Sequence, residues 1–183
     1  MGGGLAQTLA VRAPDRVRSL TLVATSPVGP YDGPPLPGPA PQISAGFADP
    51  DPEPDWGDRE AVVAYRVDAE RPYVGSLGLD EPRVRRLAAL EVDRTTDMAA
   101  LMHNHFLVED GEPVDVRLRE LRVPTLVLHG TTDPLFPVEH GRALARTVAG
   151  ARLVELDGVG HQQPPPERWD VVLPALLAHT AER

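Results

Sequence analysis

The sequence predicts an α/β fold in which a small parallel β-sheet is flanked by helices. Three short, almost continuous apolar runs lack helical periodicity, which is typical of strands buried on both faces of a parallel sheet. They cover residues 20–25, 123–128 and 152–156. Segments with helical spacing precede, separate and follow these runs. The chain of 183 residues has the length of one ordinary domain.

The helices that flank the sheet are predicted near both ends of the chain. Apolar side chains between residues 5 and 13 recur at helical intervals, and Pro14 ends the pattern. Residues 138–148 predict a helix between the second and third strands. Residues 169–177 predict a closing helix, in which Pro174 favours a late start or a kink.

The segment between the first and second strands has a different character. Residues 27–54 contain ten prolines and four glycines, and since proline fixes φ and lacks an N–H donor, no regular structure is expected there. Helical spacing returns over residues 59–70, 81–94 and 96–107, with Asp80 as an N-cap. A helical insert between two strands is the usual place for a lid over a substrate pocket. The alternative is that the insert only packs on the sheet.

Composition excludes several classes of protein. The net charge of −9, from 27 acidic and 18 basic residues, disfavours a nucleic-acid partner, because phosphate binding requires clustered positive charge. The absence of cysteine excludes disulfides and thiolate metal sites, and it is compatible with a reducing cytoplasm. No apolar run reaches the length of a membrane span, and no signal-peptide pattern is present. We therefore expect a cytoplasmic protein with no nucleic-acid or membrane partner.

Two polar residues follow the last two predicted strands, where open parallel sheets form ligand crevices. Asp133 lies in a Gly-Thr-Thr-Asp-Pro turn, and His161 follows Gly158 and Gly160. A carboxylate that accepts the ring N–H of a histidine fixes its tautomer and stabilises its charged form. We expect Asp133 to be such an acid and His161 to be the general base. The alternatives are a turn-initiating aspartate and a structural histidine.

The other histidines are not expected to be catalytic. His129 ends a strand and is expected to fill space, His140 opens a helix on an exposed turn, and His179 lies near a frayed terminus. His103 and His105 are two residues apart, and side chains at this spacing point to different sides of a helix. We therefore expect no metal site and no cofactor, and a pocket-lining role for at least one of this pair.

The chain resembles the α/β-hydrolase superfamily over nearly its whole length. The resemblance is carried by Met1-Gly2-Gly3, by residues 15–22, by the segment from Pro124 to Gly130, and by Gly158-Val159-Gly160-His161. The chain is most similar to small esterases and lactonases related to aclacinomycin methylesterase, a similarity that extends to residues 102–105. In this superfamily the nucleophile comes first, followed by the acid and then the base.

The resemblance implies a serine hydrolase of carboxylic esters or lactones with Asp133 as triad acid and His161 as base. Met1 matches the position whose backbone N–H helps to form the oxyanion hole, and Gly2 and Gly3 match the turn behind the nucleophile elbow. The family's serine and first five strands would precede residue 1. The fold expected is therefore an incomplete α/β-hydrolase fold, and the chain alone is expected to be inactive.

Three regions are expected on this basis. Residues 1–26 are the helix after the nucleophile elbow and the first strand. Residues 27–120 are the proline-rich loop and the helical lid insert. Residues 121–183 are the β-α-β-α end of the hydrolase core, which carries the acid and the base.

None of the four serines in the chain is a good substitute nucleophile. Ser76, in Val-Gly-Ser-Leu-Gly, superficially resembles an elbow, but no apolar strand precedes it. Ser19, Ser26 and Ser44 have less support. Two hypotheses remain open: the chain is the carboxyl-terminal part of a serine esterase, or it is a non-catalytic module. Such a module would bind small molecules or complete another subunit through the exposed edge of its sheet.

Overall fold

The computed structural model describes most of the chain: residues 1–29, 31, 33–108 and 116–181. Parts of the predicted insert, residues 30, 32 and 109–115, lie outside the described residues. The chain divides into two compact units. The sheet unit consists of Met1–Ala40, Tyr73–Leu77 and Val114–Arg183, and the helical unit consists of Pro41–Pro72 and Gly78–Pro113.

The described part of the sheet unit contains three parallel strands: β1 (Leu20–Val23), β2 (Thr125–Gly130) and β3 (Arg152–Leu156). β2 lies in the centre, and Leu22 of β1 and Leu153 of β3 both align with Val127. Every residue of β2 is buried, as expected of a strand covered on both faces. The predicted α/β class with three parallel strands is therefore confirmed.

β1 is shorter than the apolar run that predicts it. The backbone of Ala24 has a φ of 46°, in the left-handed region that an extended strand cannot contain, so β1 ends at Val23. The N–H of Ala24 still donates a hydrogen bond to the carbonyl of Leu128 (3.0 Å). This bond ties the exit of β1 to β2.

Seven helices occur among the described residues: α1 (Gly2–Arg12), α2 (Pro41–Ala48), α3 (Arg59–Glu70), α4 (Glu81–Arg94), α5 (Met98–Leu107), α6 (Glu139–Thr147) and α7 (Trp169–Ala181). Two apolar clusters join helices to the sheet. The first includes Ala10 of α1, Leu144 of α6 and Val127. The second includes Val172 of α7 and Leu128. Because adjacent strand residues point to opposite faces, helices cover both faces of the sheet.

The helices at the two ends of the chain differ slightly from the predictions. α1 begins at Gly2 rather than at residue 5 and ends before Pro14. α7 already begins at Trp169 and continues through Pro174, so the late start expected from this proline is not observed. A proline here removes only the N–H that would bond to the carbonyl of residue 170.

The helical unit consists of α2, α3, α4 and α5. Val63 and Val67 of α3 are buried in one cluster with Ala88 of α4. Three aspartate side chains accept backbone N–H groups at the starts of α3, α4 and α5: Asp58, Asp80 and Asp97. The N-cap predicted at Asp80 is therefore confirmed. None of the described helices has the length and apolar character needed to cross a bilayer.

The prediction that residues 27–54 have no regular structure is wrong for α2. This helix begins at Pro41, where a missing N–H costs no intrahelical hydrogen bond. The remaining residues of α2 contain no proline, and Ile43 is buried. Composition averaged over the whole segment concealed this proline-free stretch.

Candidate active site

The loops that follow β2 and β3 are joined by hydrogen bonds at one edge of the sheet. The N–H of Thr131 donates to the carbonyl of Leu156 (3.0 Å), and the N–H of Gly158 donates to Oγ1 of Thr131 (2.9 Å). The carboxyl ends of parallel strands meet at the same edge, so both loops start from neighbouring positions. These bonds bring Asp133 and His161 together.

Asp133 is fully buried and uses its two carboxylate oxygens differently. Oδ1 accepts the backbone N–H groups of Leu135 (2.9 Å) and Phe136 (2.8 Å). Oδ2 lies 2.9 Å from Nδ1 of His161. The two interpretations of Asp133, as a turn residue and as the partner of a histidine, are therefore compatible, since each requires one oxygen.

His161 is held by both its backbone and its ring. Its backbone N–H donates to the carbonyl of Tyr73 (2.8 Å), and the rings of Tyr73 and Phe136 lie 6.1 and 5.4 Å from its ring centre. Its side chain is 25% exposed, so solutes can reach the imidazole. Because Nδ1 carries the proton donated to Asp133, the neutral ring keeps its lone pair on Nε2.

The segment Tyr73–Leu77 supports the loop that carries His161, a feature that the sequence analysis missed. A Cβ atom at Gly160 would overlap the backbone nitrogen of Gly75 and the carbonyl of Tyr73, and one at Gly75 would meet Thr132 and Gly158. The two backbones approach closely only because both positions are glycine. Gly75 is therefore the signal in the sequence that indicates this contact.

Ser76 lies in a turn of the same segment. Its N–H donates to Oγ1 of Thr132 (3.1 Å). The residues before it form a short 3₁₀ turn, Arg71–Tyr73, rather than a strand. The strand-to-helix turn that a nucleophile elbow requires is therefore not formed around Ser76.

His129 is completely buried beside the acid. Its Nε2 lies 2.7 Å from the carbonyl oxygen of Phe136 and 3.6 Å from Oδ2 of Asp133. Burial lowers the pKa of His129, although the hydrogen bond to Phe136 and the charge of Asp133 act in the opposite direction. The side chain fills space, as predicted, and it also makes a specific hydrogen bond.

The prediction that His140 lies on an exposed turn is wrong. It is buried, with Nδ1 2.9 Å from Oγ of Ser26 and Nε2 2.9 Å from the carbonyl oxygen of Pro37. These bonds fix the chain after β1 to the start of α6. His179, expected near a frayed terminus, lies 3.1 Å from the carbonyl of Leu20 through Nε2.

The two histidines of the helical unit make separate contacts. Nε2 of His103 lies 3.1 Å from Oε1 of Glu53, and its ring meets the edge of Trp56. The ring of His105 lies against Phe106. Within the described residues, no group of three potential metal ligands occurs.

Met1, the predicted oxyanion-hole residue, lies at the N-cap of α1. Its carbonyl accepts the N–H groups of Gly4 (2.9 Å) and Leu5 (3.2 Å), and its side chain is largely exposed. The role of its own N–H stays a prediction.

The parallel sheet with helices on both faces agrees with the family comparison. A model of the alpha/beta hydrolase fold family matches residues 1–163. The chain therefore belongs to the α/β-hydrolase fold family, as the resemblance in the sequence predicted.

Two proteins of known sequence and one solved structure illustrate the similarity. The chain is 32% identical over 171 residues to the polyketide synthase ThaQ of Burkholderia thailandensis, and 26% identical over 125 residues to the rhodomycin D methylesterase DauP of a Streptomyces species. It superimposes on the enol-lactonase of Burkholderia xenovorans with a TM-score of 0.61 and 26% identity.

These matches cover unequal shares of the proteins compared. The match to the synthase covers 87% of this chain but only 7% of the synthase. The match to the methylesterase covers 68% of this chain and 42% of the methylesterase. The superposition covers 100% of this chain and 63% of the enol-lactonase. The chain thus spans less than half the length of either sequence relative.

Proposed function

We propose that the chain carries the acid and the base of a hydrolase that cleaves carboxylic esters or lactones. The observation that carries this proposal is the 2.9 Å hydrogen bond between Nδ1 of His161 and the buried carboxylate of Asp133. It supplies the two features that a serine hydrolase requires of its histidine, a fixed tautomer and a stabilised charged form.

In the proposed mechanism, His161 moves protons and Asp133 keeps its charge. Nε2 of His161 takes the proton of a serine hydroxyl as Oγ attacks the carbonyl carbon of the substrate. The resulting imidazolium is stabilised by the Asp133 carboxylate, and it gives the proton to the departing alkoxide. The same nitrogen then activates a water molecule that hydrolyses the acyl-enzyme. The products are a carboxylic acid and an alcohol, or one hydroxy acid from a lactone.

We further propose that the nucleophile is a serine directly upstream of Met1 in a longer form of the protein. The Met-Gly-Gly sequence and the start of α1 at Gly2 support this, because a nucleophile elbow places its serine just before a helix. In that form the N–H of Met1 would be a peptide donor to the oxyanion. Residues 1–183 alone would be inactive.

The proposed substrate class is supported by the relatives. DauP is named a rhodomycin D methylesterase, and the superimposed structure is an enol-lactonase. Both names describe cleavage of a carbon–oxygen ester linkage. We therefore propose small-molecule esters or lactones as substrates of the longer protein.

The gene provides the first test. Reading in frame upstream of the Met1 codon is expected to give Gly-x-Ser and, before it, a β-α-β region with a His-Gly oxyanion loop. A stop codon directly upstream of Met1 would contradict the proposal of a longer form.

An activated acyl ester provides the second test. The longer protein is expected to hydrolyse it, and His161→Ala is expected to lower kcat by about 10⁴-fold or more. His179→Ala is the matched control, since His179 contacts the carbonyl of Leu20 and not the pair. Residues 1–183 alone are expected to show no turnover. Turnover by this chain that His161→Ala abolishes would refute its inactivity.

A second candidate function is that of a non-catalytic module that completes another subunit. Exposed apolar side chains near the open edge of the sheet favour it: Leu5 and Leu9 of α1 are 65% and 53% exposed. Within the described residues, β1 pairs with β2 alone, so its other side is available to a strand of a partner. Absence of esterase activity in the longer protein would favour this function over catalysis.

A further inference from the structure

His129 is a buried titratable residue that the proposed mechanism does not use. Its Nε2 lies 2.7 Å from the carbonyl oxygen of Phe136, and since a carbonyl only accepts, Nε2 is the donor. Nδ1 is buried and has no hydrogen-bond partner among the described residues. The hydrogen-bond pattern therefore assigns the neutral tautomer with its proton on Nε2.

The backbone of Phe136 connects this histidine to the acid. Its N–H donates to Oδ1 of Asp133 (2.8 Å), while its carbonyl accepts from His129. The peptide groups on both sides of Phe136 are thus fixed. Nε2 of His129 is 3.6 Å from Oδ2 of Asp133, which is too long for a hydrogen bond. Oδ2 therefore stays available to His161.

The surroundings keep the ring of His129 in place and uncharged. A Cβ at Gly141 of α6 would lie 2.7 Å from Cβ and Cγ of His129, so the helix backbone packs directly on the ring. Protonation would create a buried Nδ1–H donor without an acceptor. The titratable groups around the ring are Asp133, His140, His161 and, on β3, its register partner Glu155. The effect of burial on the pKa of His129 outweighs those of the Phe136 hydrogen bond and the charge of Asp133.

We propose that His129 is a positioning residue, which as a neutral donor holds the Phe136 carbonyl and thereby orients the Asp133 carboxylate toward His161. This inference rests on the function proposed for the Asp133–His161 pair. A histidine that only fills the core could be replaced by an apolar residue of similar size without effect on the pair. The two roles therefore differ in what they predict for His161.

Proton NMR of the Nδ1–H group of His161 tests the inference without any need for turnover. The wild-type protein is expected to give a downfield, slowly exchanging signal that Asp133→Asn removes. His129→Gln retains an N–H donor and is expected to retain the signal. His129→Leu is expected to raise the exchange rate of this proton about tenfold, as for the loss of one hydrogen bond. An unchanged rate in a folded His129→Leu protein overturns the inference.

Gly141→Ala is a second variant for the case in which His129→Leu does not fold. Its methyl group displaces the ring of His129 and leaves every hydrogen-bonding group present. The same faster exchange of the His161 Nδ1–H proton is therefore expected. An unchanged exchange rate overturns the inference. His179→Leu is the matched control, because it removes another histidine bond to a backbone carbonyl. It is expected to leave the exchange rate of the His161 Nδ1–H proton unchanged. A similar rise of this rate in His179→Leu overturns the specific role of His129.

The same experiment separates this inference from the proposed function. A wild-type protein without an Asp133-dependent signal has no acid–base pair, which contradicts the proposed function and the inference together. A signal that depends on Asp133 but responds to neither His129→Leu nor Gly141→Ala contradicts only the role of His129.

Discussion

Asp133 shows how the oxygens of a buried carboxyl group are satisfied in the sheet unit. It accepts two backbone N–H groups at Oδ1 and the ring N–H of His161 at Oδ2. A buried charge is costly unless hydrogen bonds compensate for lost hydration, and three donors do so here. The turn therefore stabilises the charge that the proposed chemistry requires.

Asp133→Asn in the longer protein is expected to lower kcat strongly while changing the free energy of unfolding only slightly. The amide oxygen still accepts the N–H groups of Leu135 and Phe136, but the NH₂ group now faces His161 and favours a lone pair on Nδ1. The ring proton then lies on Nε2, so this nitrogen has no free lone pair to accept the proton of the serine. The value of kcat is therefore expected to fall about 10⁴-fold. Ester hydrolysis and the denaturation midpoint measure the two effects. Equal activity of variant and wild type would exclude a catalytic role for Asp133.

Acid is expected to destabilise the protein through His129. Its pKa is lowered by burial in the folded state, whereas the unfolded chain has an ordinary pKa near 6.5. The unfolded state thus binds a proton first as pH falls, and the free energy of unfolding drops below about pH 6.5 by up to about 1.4 kcal/mol per pH unit. The loss ends below the folded-state pKa.

Denaturation of wild type and His129→Gln between about pH 5 and pH 8 checks this expectation, because the difference between the two proteins isolates one titrating group. The wild type is expected to lose more stability on acidification than the variant. His179→Gln, with the same exchange of side chains elsewhere, is expected to follow the wild type. Parallel pH profiles for wild type and His129→Gln would contradict the assignment to His129.

At the scale of elements, the strand ends and the loops beyond them form the site. The loops after β2 and β3 bond to each other through Thr131, and Tyr73–Leu77 packs against the second loop through facing glycines. His161 is therefore placed by three separate segments of the chain. A change in any one of them is expected to move its ring.

Gly160→Ala is expected to displace His161 and to destabilise the sheet unit. The new methyl would overlap backbone atoms of Tyr73 and Gly75, and overpacking of this kind costs about 1–3 kcal/mol. Chemical denaturation measures the cost. Gly38→Ala is the matched control, since nothing lies within 4 Å of a Cβ at that glycine. Equal stabilities of the two variants would show that the contact with Tyr73–Leu77 is not tight.

The sequence predicted the elements with strong local signals and missed those that depend on contacts between distant segments. Apolar runs were sufficient to predict the strands β2 and β3, and helical spacing was sufficient to predict the helices α3 and α4. Both kinds of pattern are visible in a short window of sequence. Asp133 and His161 were predicted from their positions after strands. The burial of His140 was not predictable, because its partners Ser26 and Pro37 lie far away in the chain. The support from Tyr73 had only one signal in the sequence, Gly75, whose meaning depends on a contact with a distant glycine.

At the scale of the whole molecule, the sheet unit has apolar surface that its own described residues leave uncovered. Leu5 and Leu9 of α1 and Leu173 and Leu177 of α7 are exposed, and β1 forms an edge of the sheet. Exposed apolar side chains beside an open strand favour association.

The isolated chain is expected to self-associate at concentrations of about 1–100 μM, where open strand edges associate. Sedimentation velocity measures this. Leu5→Gln combined with Leu9→Gln is expected to shift the chain toward monomer, because it removes exposed apolar surface near β1. Leu87→Gln with Leu90→Gln removes comparable surface from α4 and is expected to have less effect. A monomer at every concentration would contradict the expectation.

The left-handed backbone conformation of Ala24 restricts which amino acids can occupy position 24. In that region a branched side chain clashes with its own backbone, whereas glycine and asparagine fit readily. A saturation library selected for folded protein should therefore be enriched in glycine, asparagine and aspartate at this site and depleted of valine, isoleucine and threonine. The residues that form strands most readily are therefore the ones least tolerated at position 24, directly after the end of β1.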